Sequence, residues 1–158
     1  MSDRIAVTRD ITAPAGLVWA MVSDLTRMGE WSPENRGGVW VKGATGPVPG
    51  ARFKGANRNG DKSWATAVKV IDADPGRRFS FVSSVGPFKI AEWSYDFEET
   101  PDGCRVTETW IDRRNALAKK ASGPASGVQD RAEHNRLGME ETLFALAAAA
   151  IAEASPTE

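Results

Sequence analysis

Few side chains in these 158 residues have both the type and the setting to do chemistry. Glu108 comes first. It sits in the run Val106-Thr107-Glu108-Thr109-Trp110, whose period-two alternation places its carboxylate on the apolar face. A carboxylate taken out of water has its pKa pushed up and can act as an acid, a base or a ligand anchor. The same position suits a paired structural carboxylate, and a one-residue slip of the strand would turn it to solvent. Tyr95, the only tyrosine, is placed opposite Glu108 by the turn at Pro101-Asp102, so the two form the candidate acid/base pair.

The other reactive types are sparse. His134 is the single histidine, about 100° or more off the apolar stripe of its helix, with Asp130 one turn earlier; this reads as an exposed i, i+4 pair. Cys104, the one cysteine, lies beside a turn with no base near it, which argues against a thiol nucleophile. One His and one Cys supply no metal-ligand cluster. Residues 55–63, GANRNGDKS, approach a phosphate-binding loop, but the lysine is displaced and the setting is strand–turn–strand rather than strand–loop–helix. Arg113, Arg114, Lys119 and Lys120 could clamp an acidic ligand head at a pocket mouth, although such runs more often face solvent.

These residues must be positioned by a sheet and a helix. Residues 128–153 contain no proline and are rich in strong helix formers, so they predict a helix of about 39 Å at 1.5 Å per residue. Val128, Ala132, Asn135, Met139, Thr142, Leu143, Leu146 and Ala150 make one stripe along it. Asn135 and Thr142 interrupt the apolar character, and buried polar groups need partners, which points to a cavity beneath the helix. Leu137, Phe144 and Ile151 recur every seven residues on the opposite face. That strip predicts either a self-complementary homodimer contact or cover by a neighbouring loop or strand edge.

The remainder reads mostly as strands. Residues 4–12 alternate as a strand, Pro14 opens a short helix, and a second brief turn spans residues 25–30. Gly37 and Gly38 lead into a strand around residues 39–42. Tight turns then fix the register of a meander. Asn59-Gly60 would pair Phe53 with Thr66 and Gly55 with Trp64, and Pro75-Gly76 would pair Val70 with Phe81. The Gly86-Pro87-Phe88 loop would set Phe81 against Trp93, and Pro101-Asp102 would set Trp93 against Trp110. Read separately, these turns gather Phe53, Trp64, Phe81, Trp93, Tyr95, Glu108 and Trp110 on one face, with Lys69, Ser80, Glu92, Asp96 and Arg105 on the other. Six tryptophans is many for this length, and three fall inward, as the wall of an aromatic pocket or as core filling. Residues 112–127 form a Gly/Pro/Ser segment with one helical turn expected around Leu117.

The order of elements and three local runs resemble a known group. Arg27-Met28-Gly29-Glu30-Trp31-Ser32-Pro33-Glu34, Gly50-Ala51-Arg52-Phe53-Lys54-Gly55-Ala56-Asn57-Arg58 and Pro101-Asp102-Gly103-Cys104-Arg105-Val106-Thr107-Glu108 look like the START-like (SRPBCC) superfamily, nearest its bacterial polyketide cyclase/dehydrase and lipid-transport group. Arg131-Ala132-Glu133-His134-Asn135 and Gly138-Met139-Glu140-Glu141-Thr142-Leu143 continue the likeness into the last helix. The resemblance implies an α+β helix-grip fold, in which a curved antiparallel sheet of about seven strands wraps a long C-terminal helix, with two short helices after the first strand. It also implies a deep pocket for an apolar or aromatic molecule.

Composition bounds the rest. The chain is of single-domain size over residues 1–158. Its net charge of −1 supplies no field for nucleic acid or anionic membrane. A lone cysteine suits a reducing cytoplasm, and neither a leader nor a membrane-spanning run is visible. Three function classes remain. The first is a binder of a hydrophobic small molecule, with Phe53, Trp64, Phe81, Trp93, Tyr95, Glu108 and Trp110 as wall and Asn135, Met139 and Thr142 above. The second is a cyclase or dehydratase working without metal, nucleotide or other cofactor, and the third is a stress-related or regulatory module acting through its surface.

Overall fold

A computed structural model describes residues 3–155; the outer ends of the 1–158 span lie outside the described residues. The strands are β1 (Arg4–Ile11), β2 (Asn35–Val41), β3 (Arg52–Asn59), β4 (Lys62–Asp74), β5 (Arg78–Val85), β6 (Phe88–Thr100) and β7 (Gly103–Asp112). They form one antiparallel sheet in the order β1-β7-β6-β5-β4-β3-β2. Helix α1 (Ala15–Ser23) and a 3₁₀ turn (Leu25–Glu30) follow β1, while α2 (Ala116–Ser126) and the long α3 (Arg131–Ala154) follow β7. This is the expected helix-grip architecture.

The meander follows the pairing read from its turns, with one exception. Val70 faces Phe81, Phe81 faces Trp93, Tyr95 faces Glu108 and Trp93 faces Trp110. The β3–β4 hairpin differs: Phe53 faces Val68 and Gly55 faces Thr66, so its two-residue loop is Gly60-Asp61 rather than Asn59-Gly60. Gly60 takes the positive φ of 61° that such a turn requires. The correction moves the register by two residues, so every side chain keeps its face. A bulge after Val70 carries Asp72 against Ser80. Ser80, expected on the wet face, is instead buried and donates to Asp72 Oδ2 at 2.6 Å.

Three boundaries also move. β2 begins at Asn35, not near residue 39, and its register shifts between Asn35 and Gly38 where Gly37 and Gly38 both have positive φ. The last helix starts at Arg131, because Asp130 accepts from the Glu133 amide and caps it; Val128 is buried ahead of the helix. Residues 112–127 hold a full helix, α2, rather than one turn. Asn115 caps it by accepting from the Ala118 amide at 2.8 Å, and Gly127, at φ 74°, ends it.

The core is in two parts. The larger packs α1 and the far half of α3 (Leu143, Leu146, Ala147, Ala150) on Val70, Phe79, Phe97 and Val106. The smaller joins Ala91, Trp110 and Met139, with Ile5, Ile90 and Trp93 against it. Leu137, Phe144 and Ile151 stay exposed, at 49%, 63% and 44%; among the described residues no loop or strand edge covers them, though the Arg9 guanidinium lies 5.0 Å from the Phe144 ring centre. Among the described residues, no helix is long and apolar enough to cross a membrane.

Candidate functional site

Where the packed core gives out, a cavity of about 590 Å³ remains between sheet and helices. All ten residues expected to face a ligand border it: Phe53, Trp64, Phe81, Trp93, Tyr95, Glu108 and Trp110 from the sheet, and Asn135, Met139 and Thr142 from α3. The tryptophans divide between the two roles open to them. Trp110 is 2% exposed and packs with Met139, so it is as much core as wall. Trp64 is half-buried at the end of β4, with the Arg131 guanidinium 5.9 Å from its ring centre. The exposed lining residues Val85 and Phe88, at the β5–β6 hairpin, and Leu117, on α2, mark the mouth.

At the inner end, cross-strand pairing puts Tyr95 beside Glu108, and the Tyr95 hydroxyl donates to Glu108 Oε2 at 2.8 Å. Both residues are 2% exposed, and Glu108 Oε1 has no hydrogen-bond partner. Burial pushes the Glu108 carboxyl up to about 8, against the opposing pull of the Tyr95 hydrogen bond. The Tyr95 phenol is raised well above its usual range by burial first, then by the charge and hydrogen bond of Glu108. Near neutral pH Glu108 is therefore largely a neutral acid. Such a group can give a proton to a carbonyl, take one back as its conjugate base, or simply hold a ligand oxygen.

A second polar cluster borders the cavity, and here the sequence expectation needs correcting. His134 is not a surface partner of Asp130. Its Nε2 lies 3.2 Å from Glu34 Oε2, and its ring lines the cavity. The strand-entry segment carrying Pro33 and Glu34 lies against this side of α3, and Pro33 sits close above Gly138. Arg131 Nη1 donates to Glu34 Oε1 at 2.7 Å and to Asn135 Oδ1 at 3.3 Å. Glu34 Oε2 is buried without an aligned hydrogen bond, although His134 Nε2 approaches it at 3.2 Å. Glu34 and Arg131 were visible only as parts of longer motifs. Their pairing spans 97 positions and leaves no periodic trace in the sequence.

The basic run after β7 separates by role. Arg114 borders the cavity, but its charge is matched by Asp112 at 2.7 Å, and it also donates to Ser122 on α2. Burial acts to raise the Asp112 carboxyl, yet the hydrogen bonds from Arg114 outweigh it and hold Asp112 below its usual range. Arg113 pairs with Glu92, Lys119 approaches Asp3, and Lys120 is exposed, so none of these three borders the cavity. Cys104 is fully buried, and burial, with the Asp10 charge, raises its thiol. Among the described residues no group of three or more His, Cys, Asp or Glu is placed to hold a metal ion.

Comparison with known proteins agrees with this geometry. The Polyketide_cyc-like protein Cgl2372 of Corynebacterium glutamicum is 33% identical, aligned over 92% of this chain and 90% of its own, with a TM-score of 0.60. Protein CV1439 of Chromobacterium violaceum shares the fold at TM-score 0.70 and 15% identity, over 94% and 98% of the two chains. So does the di-domain ARO/CYC StfQ of the steffimycin biosynthetic pathway, at TM-score 0.73 and 13% identity, over 96% of this chain and 51% of that one. No curated protein matches. The model of one family, polyketide cyclase / dehydrase and lipid transport, matches residues 2–150, and the chain belongs to that family.

Proposed function

We propose that this protein binds a hydrophobic or aromatic small molecule, lipid- or polyketide-like, in the cavity between the sheet and α3. The observation that carries this reading is the division of the core around a space of about 590 Å³ walled by aromatic side chains. That volume is within the range of small-molecule pockets, and a few placed polar groups in an apolar wall are what such pockets use for orientation. A module acting through its surface alone gives no reason for so large an opening in the core. The test is titration with an environment-sensitive apolar dye, followed by quenching of tryptophan emission. Binding at one site is expected, and Met139→Trp, which fills the space under α3, should weaken it at least tenfold. Undiminished affinity in a folded Met139→Trp protein would remove the cavity as the site.

A second reading has its own observation, the buried Tyr95–Glu108 pair with one carboxyl oxygen uncommitted. On that reading the protein is a cofactor-free cyclase or dehydratase, with Glu108 moving the proton and Tyr95 holding it in place. Glu108→Gln then removes most turnover of a poly-carbonyl substrate, by about 10²–10⁴-fold, while binding survives. Turnover unaffected by that change would leave the binding role alone.

A further inference from the structure

The polar groups bordering the cavity differ in one respect that bears on what enters it. Glu34, Arg131 and Asn135 bond one another, Arg114 and Asp112 bond each other, and Thr142 donates to the Gly138 carbonyl oxygen at 2.7 Å. Two carboxyls on the lining keep a buried oxygen without a hydrogen bond, Glu34 and Glu108. Glu34 has Arg131 on its other oxygen and His134 Nε2 3.2 Å from the free one, whereas Glu108 has only the Tyr95 hydroxyl. We propose that Glu108, steadied by Tyr95, is the specificity-determining residue of the cavity, and that it selects ligands presenting a neutral oxygen acceptor such as a ketone, quinone or ester. This rests on the binding reading above and adds to it the chemical class of the ligand's inner end.

The argument runs from donor and acceptor counts. Tyr95 has one hydroxyl hydrogen and spends it on Glu108 Oε2. The groups that face Glu108 from its neighbours cannot neutralise a charge on it. Val7 lies across from it on β1, and the residues that α3 turns toward the cavity are Asn135, Met139 and Thr142. The titratable groups elsewhere on the lining are Glu34, Arg114, Arg131 and His134. Burial raises the Glu108 carboxyl, and the Tyr95 hydrogen bond pulls the other way. Burial favours the protonated carboxyl, and with Oε2 accepting from Tyr95 the proton falls to Oε1. An O–H group buried without an acceptor costs free energy that an incoming carbonyl oxygen recovers. A ligand ending in a pure donor, such as an ammonium, would instead need the ionised form.

The experiment is a ligand-by-protein cycle. The acceptor probe is 6-propionyl-2-(dimethylamino)naphthalene, whose emission also reports hydrogen bonding to its ketone. The control is the 6-propyl analogue, which lacks the oxygen. In the wild type near pH 6, and in Glu108→Gln, whose amide still donates, the ketone-to-propyl affinity ratio should be similar; in Glu108→Met it should fall about tenfold. Raising the pH to about 9.5 should weaken the ketone in the wild type at least fivefold and leave Glu108→Gln unchanged. That series stands on its own if Glu108→Met does not fold. A ratio unchanged in Glu108→Met, or a ketone affinity flat or rising with pH in the wild type, overturns the inference while leaving the cavity as a binding site. Failure of both probes to bind overturns the binding reading and this inference with it.

Discussion

Removing the ability of Glu108 to ionise should change how the protein's stability depends on pH. The perturbation is Glu108→Gln, which keeps shape and a hydrogen bond to Tyr95 but cannot ionise. The folded carboxyl is raised from 4.5 to about 8 by burial, so its folded pKa lies above its unfolded one. Below about pH 4.5 both states hold the proton and the group's full contribution is present. Between the two values the unfolded chain has released its proton while the folded chain retains it, and stability falls as pH rises, levelling off above about pH 8. A shift of this size, at about 1.4 kcal/mol per unit, sets a ceiling on the order of 5 kcal/mol, and relaxation around a real buried charge lowers it to about 2–4. The assay is urea unfolding followed by tryptophan emission, for both proteins, from about pH 5 to 9. The difference curve isolates Glu108, because every other titrating group is common to both. The variant should gain on the wild type steadily with pH. Parallel curves, or a wild type that gains on the variant, would refute a neutral buried carboxyl.

Other parts of the structure give equally definite expectations. A Cβ placed on Gly103 would meet the Ile11 carbonyl oxygen and, at 2.7 Å, the Ala13 amide nitrogen, so Gly103→Ala should cost at least about 1–3 kcal/mol and lower the thermal midpoint; an unchanged midpoint would show that β1 and β7 do not approach this closely. If Leu137, Phe144 and Ile151 form a two-fold contact, sedimentation should show a dimer that Phe144→Glu dissociates, whereas a wild-type monomer at high micromolar concentration ends that idea.

Much of the sheet was legible because its errors are forgiving. Alternation fixes which face a residue takes, and four turns vote on that face separately. The β3–β4 turn lies one residue further on than expected, which shifts the pairing by two, so Phe53, Trp64 and Thr66 still face inward. Helix α2 was not legible for the opposite reason. Gly123 and Pro124 signal a break, and apart from Leu117 the residues it turns to the cavity, Ala118, Ala121, Ser122, Ala125 and Ser126, are too small to make an apolar stripe. Pro124 is tolerated in its last turn, where Gly127 closes the helix onto the Gly123 carbonyl. The Glu34–Arg131–His134 cluster depends on a segment folding back over α3, which no local pattern encodes.

The polar residues of the α3 stripe border the cavity, but polar demand is only part of what distinguishes that half of the helix. Asn135 and Thr142 suggested unmet polar demand beneath α3. In the structure Thr142 donates to the Gly138 carbonyl and Asn135 Oδ1 accepts from Arg131 one turn back. What changes along α3 is the character of its inner face. From Leu143 onward the inner face of α3 carries Leu143, Leu146, Ala147 and Ala150, which close on the larger core; before it, Asn135, Gly138, Met139 and Thr142 form a less apolar surface beside the cavity. The opposing sheet face changes in step, from Phe79, Phe97 and Val106 under the packed half to Trp93, Phe81 and Ser83 bordering the open one. Tyr95 and Glu108 stand at that boundary: Tyr95 belongs to the larger core and also borders the cavity with Glu108. A polar pair there is held on one side by rigid packing and borders, on the other, whatever fills the space, which is the placement a group needs if it is to choose its ligand by chemistry rather than by size.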